Sequence, residues 1–263
     1  VNDTAVVART GPDSARRRVA VVTGGGRGIG STLVRALAEQ STRVVIADVA
    51  DEGQLLAKEL TAAGHEVVFH PTDVADESSV EALAALCRDR FGRLDVLVNN
   101  ASIYRGLGAK RPFTEITPAE WERVLRVNVT GVWLVTRGLV TLLRESGGGR
   151  VINIASSTVH MGVPGFAHYV ASKGAVIALT RSLANEVGRD GITVNAIAPG
   201  LVANESSLEL SGAEYVPAAA ARRAIPRDMN PDDLVGTVLF LASGGSDFIT
   251  GQTLVVDGGV VFS

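Results

Sequence analysis

The run Val19-Ala20-Val21-Val22-Thr23 leads without a break into Gly24-Gly25-Gly26-Arg27-Gly28-Ile29-Gly30, after which Leu33, Val34, Leu37 and Ala38 recur at helical spacing. An unbroken apolar, β-branched run suits a strand covered on both faces, the situation of strands in parallel sheets. Glycines between that strand and a helix permit positive φ and a close backbone approach, and the helix N-terminus behind them favours an anion such as a pyrophosphate. In this context Gly24, Gly28 and Gly30 predict a dinucleotide site.

The rest of the chain repeats the alternation. Strands are expected at Arg43 to Ala47, Glu66 to His70, Leu94 to Val98, from Ile152, at Ile192 to Ala198 and at Thr253 to Val256. Helices are expected at Gln54 to Ala63, Ser79 to Phe91, from Thr117 through Leu139, from near His168 to Val187, and at Pro231 to Ala242. Thr117-Pro118-Ala119-Glu120 reads as an N-cap, a first-turn proline and a capping-box acid opening one long helix. Strands alternating with helices give right-handed crossovers, hence a single-domain α/β fold with a doubly wound parallel sheet of about seven strands and helices on both faces. No linker divides the chain. Residues 1–17 read as a flexible arm, 18–263 as one domain, and 201–228 as a substrate lid.

Ligands in such sheets bind at the carboxyl ends of the strands, where Thr23, Asp48, Asp73, Asn100 and Ser156 all fall. Asp48 lies at the tip of the second strand, about twenty residues past the glycine turn, where its carboxylate can bond a ribose and repel a 2′-phosphate. NAD is therefore expected over NADP, although Arg27 could pair with such a phosphate. Asp73 could accept from the adenine amino group or simply cap a helix. Asn128 and Asn195 are polar groups in apolar surroundings that could tie the backbone together.

Tyr169 and Lys173 stand four apart on the helix that follows Ser156, so both project from one face. A cation beside a phenol favours the phenolate and lowers its pKa from about 10, and Ser156 can orient a substrate oxygen. Acid/base chemistry on an alcohol or carbonyl is the reading. Candidate pocket residues are Ile103, Tyr104, Val159, His160, Phe166, Leu201 and the segment 205–225, an apolar and aromatic set suited to a hydrophobic secondary alcohol or ketone.

The net charge of −3 and pI near 5.9 supply no basic field for nucleic acid or an anionic membrane. His65 and His70 have no second ligand at metal spacing, so no metal is expected. The single cysteine, Cys87, reads as a buried, inert thiol. Without a long apolar run or a signal-like N-terminus, a cytoplasmic protein is the default expectation.

With these residues in place the sequence resembles the short-chain dehydrogenase/reductase family from about residue 18 onward. The likeness rests on Thr23-Gly24, Gly28-Ile29-Gly30, Asn99-Asn100-Ala101, Asn128, Ser156, Tyr169 with Lys173, and Pro199-Gly200. It implies a Rossmann fold, a homotetramer and hydride transfer between a carbinol carbon and a nicotinamide. Tyr169 would exchange the proton, Ser156 would hold the oxygen, Lys173 would lower the tyrosine pKa and bond the ribose, and Asn128 would carry a relay water. Ile29, Val49, Val74, Ala101, Pro199, Gly200, Val202 and Asn204 would complete the cofactor contacts. Ser102, Val159 and Asn204 depart from the common pattern, the first two where glycine is frequent. The likeness extends to members acting on aryl or cyclic alcohols and to 3-oxoacyl-carrier-protein reductases. The alternative of another class is a sensor or scaffold that binds the dinucleotide without turnover.

Overall fold

The structure is a computed structural model that describes residues 17–203, 207 and 215–262. The expected arm falls almost wholly outside the described residues, as do Asn204 and much of the expected lid. Seven parallel strands form one sheet: β1 (Val19–Thr23), β2 (Arg43–Asp48), β3 (Val67–Pro71), β4 (Val96–Asn99), β5 (Arg150–Ile154), β6 (Thr193–Pro199) and β7 (Thr253–Val256), in the order β3-β2-β1-β4-β5-β6-β7.

The two-residue period of a strand sorts its side chains between the two faces. Ala20 and Val22 of β1, with Val44 and Ile46 of β2, pack under α1 (Gly28–Glu39) and α2 (Glu52–Ala62). Val19 and Val21, with Val45 and Ala47, pack on the opposite face under α3 (Glu77–Phe91) and further helices. An unbroken apolar strand thus serves two cores at once. Leu33, Leu83, Leu139 and Leu143 are fully buried in them, each contributing roughly 1.5–3 kcal/mol.

Thr117 and Glu120 form the expected capping box at the start of α4 (Pro118–Leu125). The long helix expected after it is broken by a π-helical turn, Arg126–Thr130, before α5 (Gly131–Glu145). The wide turn carries Asn128, whose side chain is wholly buried. A short helix α6 (Thr158–Met161) ends at Gly162 in the left-handed region, and α7 (Ala167–Val187) follows.

Buried amides tie these layers together. Asn99 donates to Thr136 of α5 and to Asn153 of β5, and Asn153 donates to Thr180 of α7. Asn195 has the backbone-tying role open to it, donating to the Ile249 carbonyl and accepting from Gln252 N. Chain order reverses about β1 and β4, so the crossovers diverge there and open a crevice at the strand carboxyl ends.

Candidate active site

The crevice is a cleft of about 990 Å³ that runs from the glycine turn to Tyr169. Its first half is lined by Gly24, Arg27, Gly28, Ile29, Gly30, Asp48, Val49, Asp73, Val74, Asn100 and Ala101. The backbone here is pinned by side chains. Asp48 accepts from Gly26 N at 2.8 Å and Ala50 N at 3.0 Å, and Asn100 Nδ2 donates to the Thr23 and Gly24 carbonyls. Thr23 Oγ1 accepts in turn from the backbone N–H groups of Asn100 and Ala101.

Two observations fit this half to a dinucleotide phosphate. A Cβ on Gly24, which has φ of +60°, would lie 2.8 Å from Ala101 Cα, and one on Gly30 would lie 2.0 Å from the Gly24 carbonyl oxygen. The N-terminus of α1, directly behind these glycines, has no side-chain cap. Uncapped N–H groups behind a glycine cradle are the elements an anion uses. Arg27 is ion-paired with Glu52, both half exposed. Asp73 lines the cleft and accepts from Ala75 N, and the helix cap that its position also allowed is Asp76 instead.

The second half of the cleft is lined by Tyr104, Ser156, Phe166, Tyr169, Lys173, Pro199, Gly200 and Val202. Tyr169 is buried on α7 in the cleft that Ser156 also lines, and its ring stands 5.4 Å from that of Tyr104. Ser156 Oγ also accepts from Thr158 Oγ1 at 2.9 Å. Lys173 is 3% exposed; its Nζ donates to the Ile154 carbonyl at 2.8 Å and lies 5.7 Å from the Tyr169 ring centroid.

The titration of the pair differs from expectation. Burial, and then the neighbouring Tyr104, raises the Tyr169 pKa, while the Ser156 hydrogen bond lowers it. Burial also brings Lys173 down to about 8. The ammonium is turned to a backbone carbonyl, and desolvation of the phenolate outweighs the help a nearby cation was expected to give.

The expectations for Val159 and His160 are corrected, and Asn128 is placed behind the cleft wall. Asn128 does not line the cleft: its Oδ1 accepts from Ile103 N, and its Nδ2 donates to the Ile103 carbonyl and to Ser172 Oγ, which donates to the Tyr169 carbonyl. It braces the Tyr169 helix turn. Val159 packs with Val132, Ala155 and Val176, because α6 turns it away from the cleft. His160 is exposed and lines a separate recess with Arg181, Asn185 and Gln252. Met161 at the end of α6, with Val163 and Pro164 just beyond it, occupies the cleft wall instead, as do the charged residues Arg105, Lys110, Arg222 and Arg223.

The comparisons agree with this fold. A family model described as enoyl-(acyl carrier protein) reductase matches residues 24–261. The chain is 40% identical over 242 residues to a cis-4-hydroxycyclohexanecarboxylate dehydrogenase from Sinomonas cyclohexanicum, covering 92% of this chain and 96% of the relative. It is 38% identical to a 3-oxoacyl-[acyl-carrier-protein] reductase from Synechocystis, covering 93% and 97%. A crystal structure of a gluconate 5-dehydrogenase from Burkholderia cenocepacia, in complex with NADP and tartrate, superposes with a TM-score of 0.86 at 37% identity over 92% of this chain and 94% of that one. These define an NAD(P)-dependent oxidoreductase acting on CH–OH groups. The chain belongs to the short-chain dehydrogenase/reductase family. The sensor or scaffold alternative falls away with that assignment.

Proposed function

We propose that the protein moves a hydride between NAD(H) and a small secondary alcohol or its ketone, with Tyr169 exchanging the proton on the substrate oxygen. The observation that carries the reading is the presence of Ser156, Tyr169 and Lys173 in the same cleft as the glycine turn. The bound nicotinamide nucleotide supplies the hydride chemistry. In oxidation the carbinol proton passes to the Tyr169 oxygen, and in reduction the phenol returns it. Ser156 orients the substrate oxygen, and Lys173, fixed to Ile154, would hold the nicotinamide ribose of a bound nucleotide. Asn128 acts as a positioning residue through Ile103 and Ser172.

Ile103, Tyr104, Met161, Val163 and Phe166 give the substrate end apolar and aromatic walls, which favours aryl or cyclic alcohols. The named substrate of the Sinomonas relative is likewise cyclic. For the cofactor, the buried Asp48 carboxylate supports NAD, since a 2′-phosphate beside it would be repelled. The solved relative holds NADP, so the preference is a matter for measurement. Following nicotinamide absorbance with 1-phenylethanol and cyclohexanol plus NAD or NADP, and with acetophenone plus NADH or NADPH, tests both points. No turnover with any pair refutes the reading; a higher kcat/KM with the phosphorylated cofactor refutes the NAD preference.

The second reading is reduction of 3-oxoacyl thioesters, favoured by the 38% identity to the Synechocystis enzyme. Acetoacetyl-CoA as substrate distinguishes it. A homotetramer is proposed on family likeness, with light scattering as its check. Among the described residues no helix is long and apolar enough to cross a membrane.

A further inference from the structure

Past the end of β5 the chain stays beside β6 through Ser157: Ala155 N donates to the Ile197 carbonyl at 2.7 Å, and Ser157 N to the Pro199 carbonyl at 2.9 Å. It then turns at once into α6, with Ser157 at φ −66° and ψ −14° and Thr158 as the first helical residue. The turn folds Thr158 back over the Ser156 side chain. Ser156 Oγ accepts from Thr158 N at 3.3 Å, the bond to the residue two places on by which a serine hydroxyl starts a turn, and from Thr158 Oγ1 at 2.9 Å. Both residues line the cleft, Ser156 buried and Thr158 half-buried. The adjacent Ser157 makes no such contact, since its hydroxyl is buried without a hydrogen-bond partner among the described residues.

A hydroxyl has one proton to give and two lone pairs to receive with. When Ser156 gives its proton to a substrate oxygen, the Thr158 hydroxyl can bond it only as a donor, and with the Thr158 N–H it occupies both lone pairs. The serine proton is then left to point into the cleft. An oxygen that accepts hydrogen bonds is also a stronger donor through its own proton. Thr158 is β-branched, so its χ1 is stiff and its hydroxyl is held where the bond needs it. That hydroxyl has no other partner among the described residues.

Resting on the secondary-alcohol reading above, we infer that Thr158 is a positioning residue for the reaction: its hydroxyl orients Ser156 Oγ so that the serine proton points at the substrate oxygen. That oxygen carries most negative charge as the alkoxide, which precedes hydride transfer in oxidation and follows it in reduction. The bond therefore acts on the chemical step in both directions, and not on cofactor binding.

The test is a double-mutant cycle between Thr158 and Ser156, read in the oxidation of 1-phenylethanol and cyclohexanol and in the reduction of acetophenone, with whichever nicotinamide cofactor turns over faster. Thr158→Val keeps the shape and removes the hydroxyl, so kcat should fall about tenfold in both directions. The cofactor dissociation constant, read by nicotinamide fluorescence, should stay within about twofold of its original value. Thr158→Ser, which restores a hydroxyl, should bring kcat back to within about threefold of the unaltered enzyme. Ser156→Ala alone should cost about a hundredfold. Adding Thr158→Val to it should change kcat by less than about twofold, because the hydroxyl then has no oxygen to orient. Thr158→Ala is carried through the same cycle, so that the packing of one replacement does not decide the result. A tenfold loss that recurs in the Ser156→Ala background, or that Thr158→Ser leaves unrestored, assigns Thr158 to the packing of α6 and overturns the inference. A Thr158→Val enzyme as fast as the original does the same, and in each of these cases the alcohol reading stands. If Ser156→Ala costs nothing, Ser156 does not hold the substrate oxygen, and the inference falls although turnover persists. If the unaltered protein turns over none of the three compounds, the alcohol reading fails and takes the inference with it.

Discussion

The two halves of the cleft use polar side chains in opposite ways. On the β1–β3 side, Asp48, Asn100 and Thr23 spend their hydrogen bonds on backbone N–H and C=O groups, so an incoming ligand meets main chain shaped by glycines. On the β5–β6 side the main chain is ordinary strand and helix, and the side chains of Ser156 and Tyr169 are what the cleft presents. The first half is a shape and the second a set of reacting groups. Substitutions in the first should therefore act on binding, and in the second on the chemical step.

The largest effect that would break this division is at Tyr169. Tyr169→Phe removes the exchangeable proton but keeps the ring against Tyr104, so kcat should fall by about 10²- to 10⁴-fold while the dissociation constant of the cofactor, read by nicotinamide fluorescence, stays near its original value. Retained turnover would mean that another group moves the proton. Gly30→Ala is the counterpart in the first half. Its Cβ would sit 2.0 Å from a backbone carbonyl oxygen that cannot rotate away, so the turn must shift; cofactor affinity should drop by about a hundredfold, roughly 2.7 kcal/mol. If affinity held and kcat fell instead, the two halves would not be separable.

A third measurement sharpens the chemistry of the second half. With the tyrosine pKa raised by burial, alcohol oxidation, which needs the phenolate, should climb close to tenfold per pH unit through neutral pH. Ketone reduction, which needs the phenol, should stay level over the same range. A plateau in oxidation below pH 8 would restore the idea that Lys173 makes the phenol acidic.

How much of this was legible in the sequence follows from the kind of signal each feature leaves. Val19–Thr23 with its glycine turn and the capping box at Thr117 are local patterns whose physics is complete within a few residues, and both stand in the structure as read. The π turn at Arg126–Thr130 leaves no such mark, because one extra residue in a turn hardly disturbs an apolar pattern that runs from Val124 to Leu139. Val159 and His160 were misplaced for a related reason: the direction a chain takes after a strand depends on α6, a single turn set by Gly162 in the left-handed region. The tyrosine pKa was misjudged because spacing gives proximity, whereas burial, which decides the sign here, belongs to the whole fold. Arg105 and Lys110 were missed because a surface cation and a cleft cation look alike in sequence, while Arg222 and Arg223 were covered only as part of the expected pocket segment 205–225.

The smallest expected effect concerns stability, and it separates a side chain held for chemistry from one held for packing. Burial brings Lys173 down to about 8 in the fold, from an ordinary value of 10.5. Between those values the unfolded chain binds more protons than the native one, so stability rises with pH from about 8 toward 10. At about 1.4 kcal/mol per unit, the gain is on the order of 1–3 kcal/mol. Tyr169 acts in the other direction: its native pKa is raised above its ordinary value near 10, so above that pH the unfolded chain loses a proton the native chain keeps, and stability falls. Denaturant titrations from pH 7 to 11 without cofactor should give a maximum near pH 10. Lys173→Met, a substitution of similar length, should abolish the rise and leave the fall. Should the variant keep the rise, the burial cost lies elsewhere, and Lys173 is not the strained group that the second half of the cleft is built to hold.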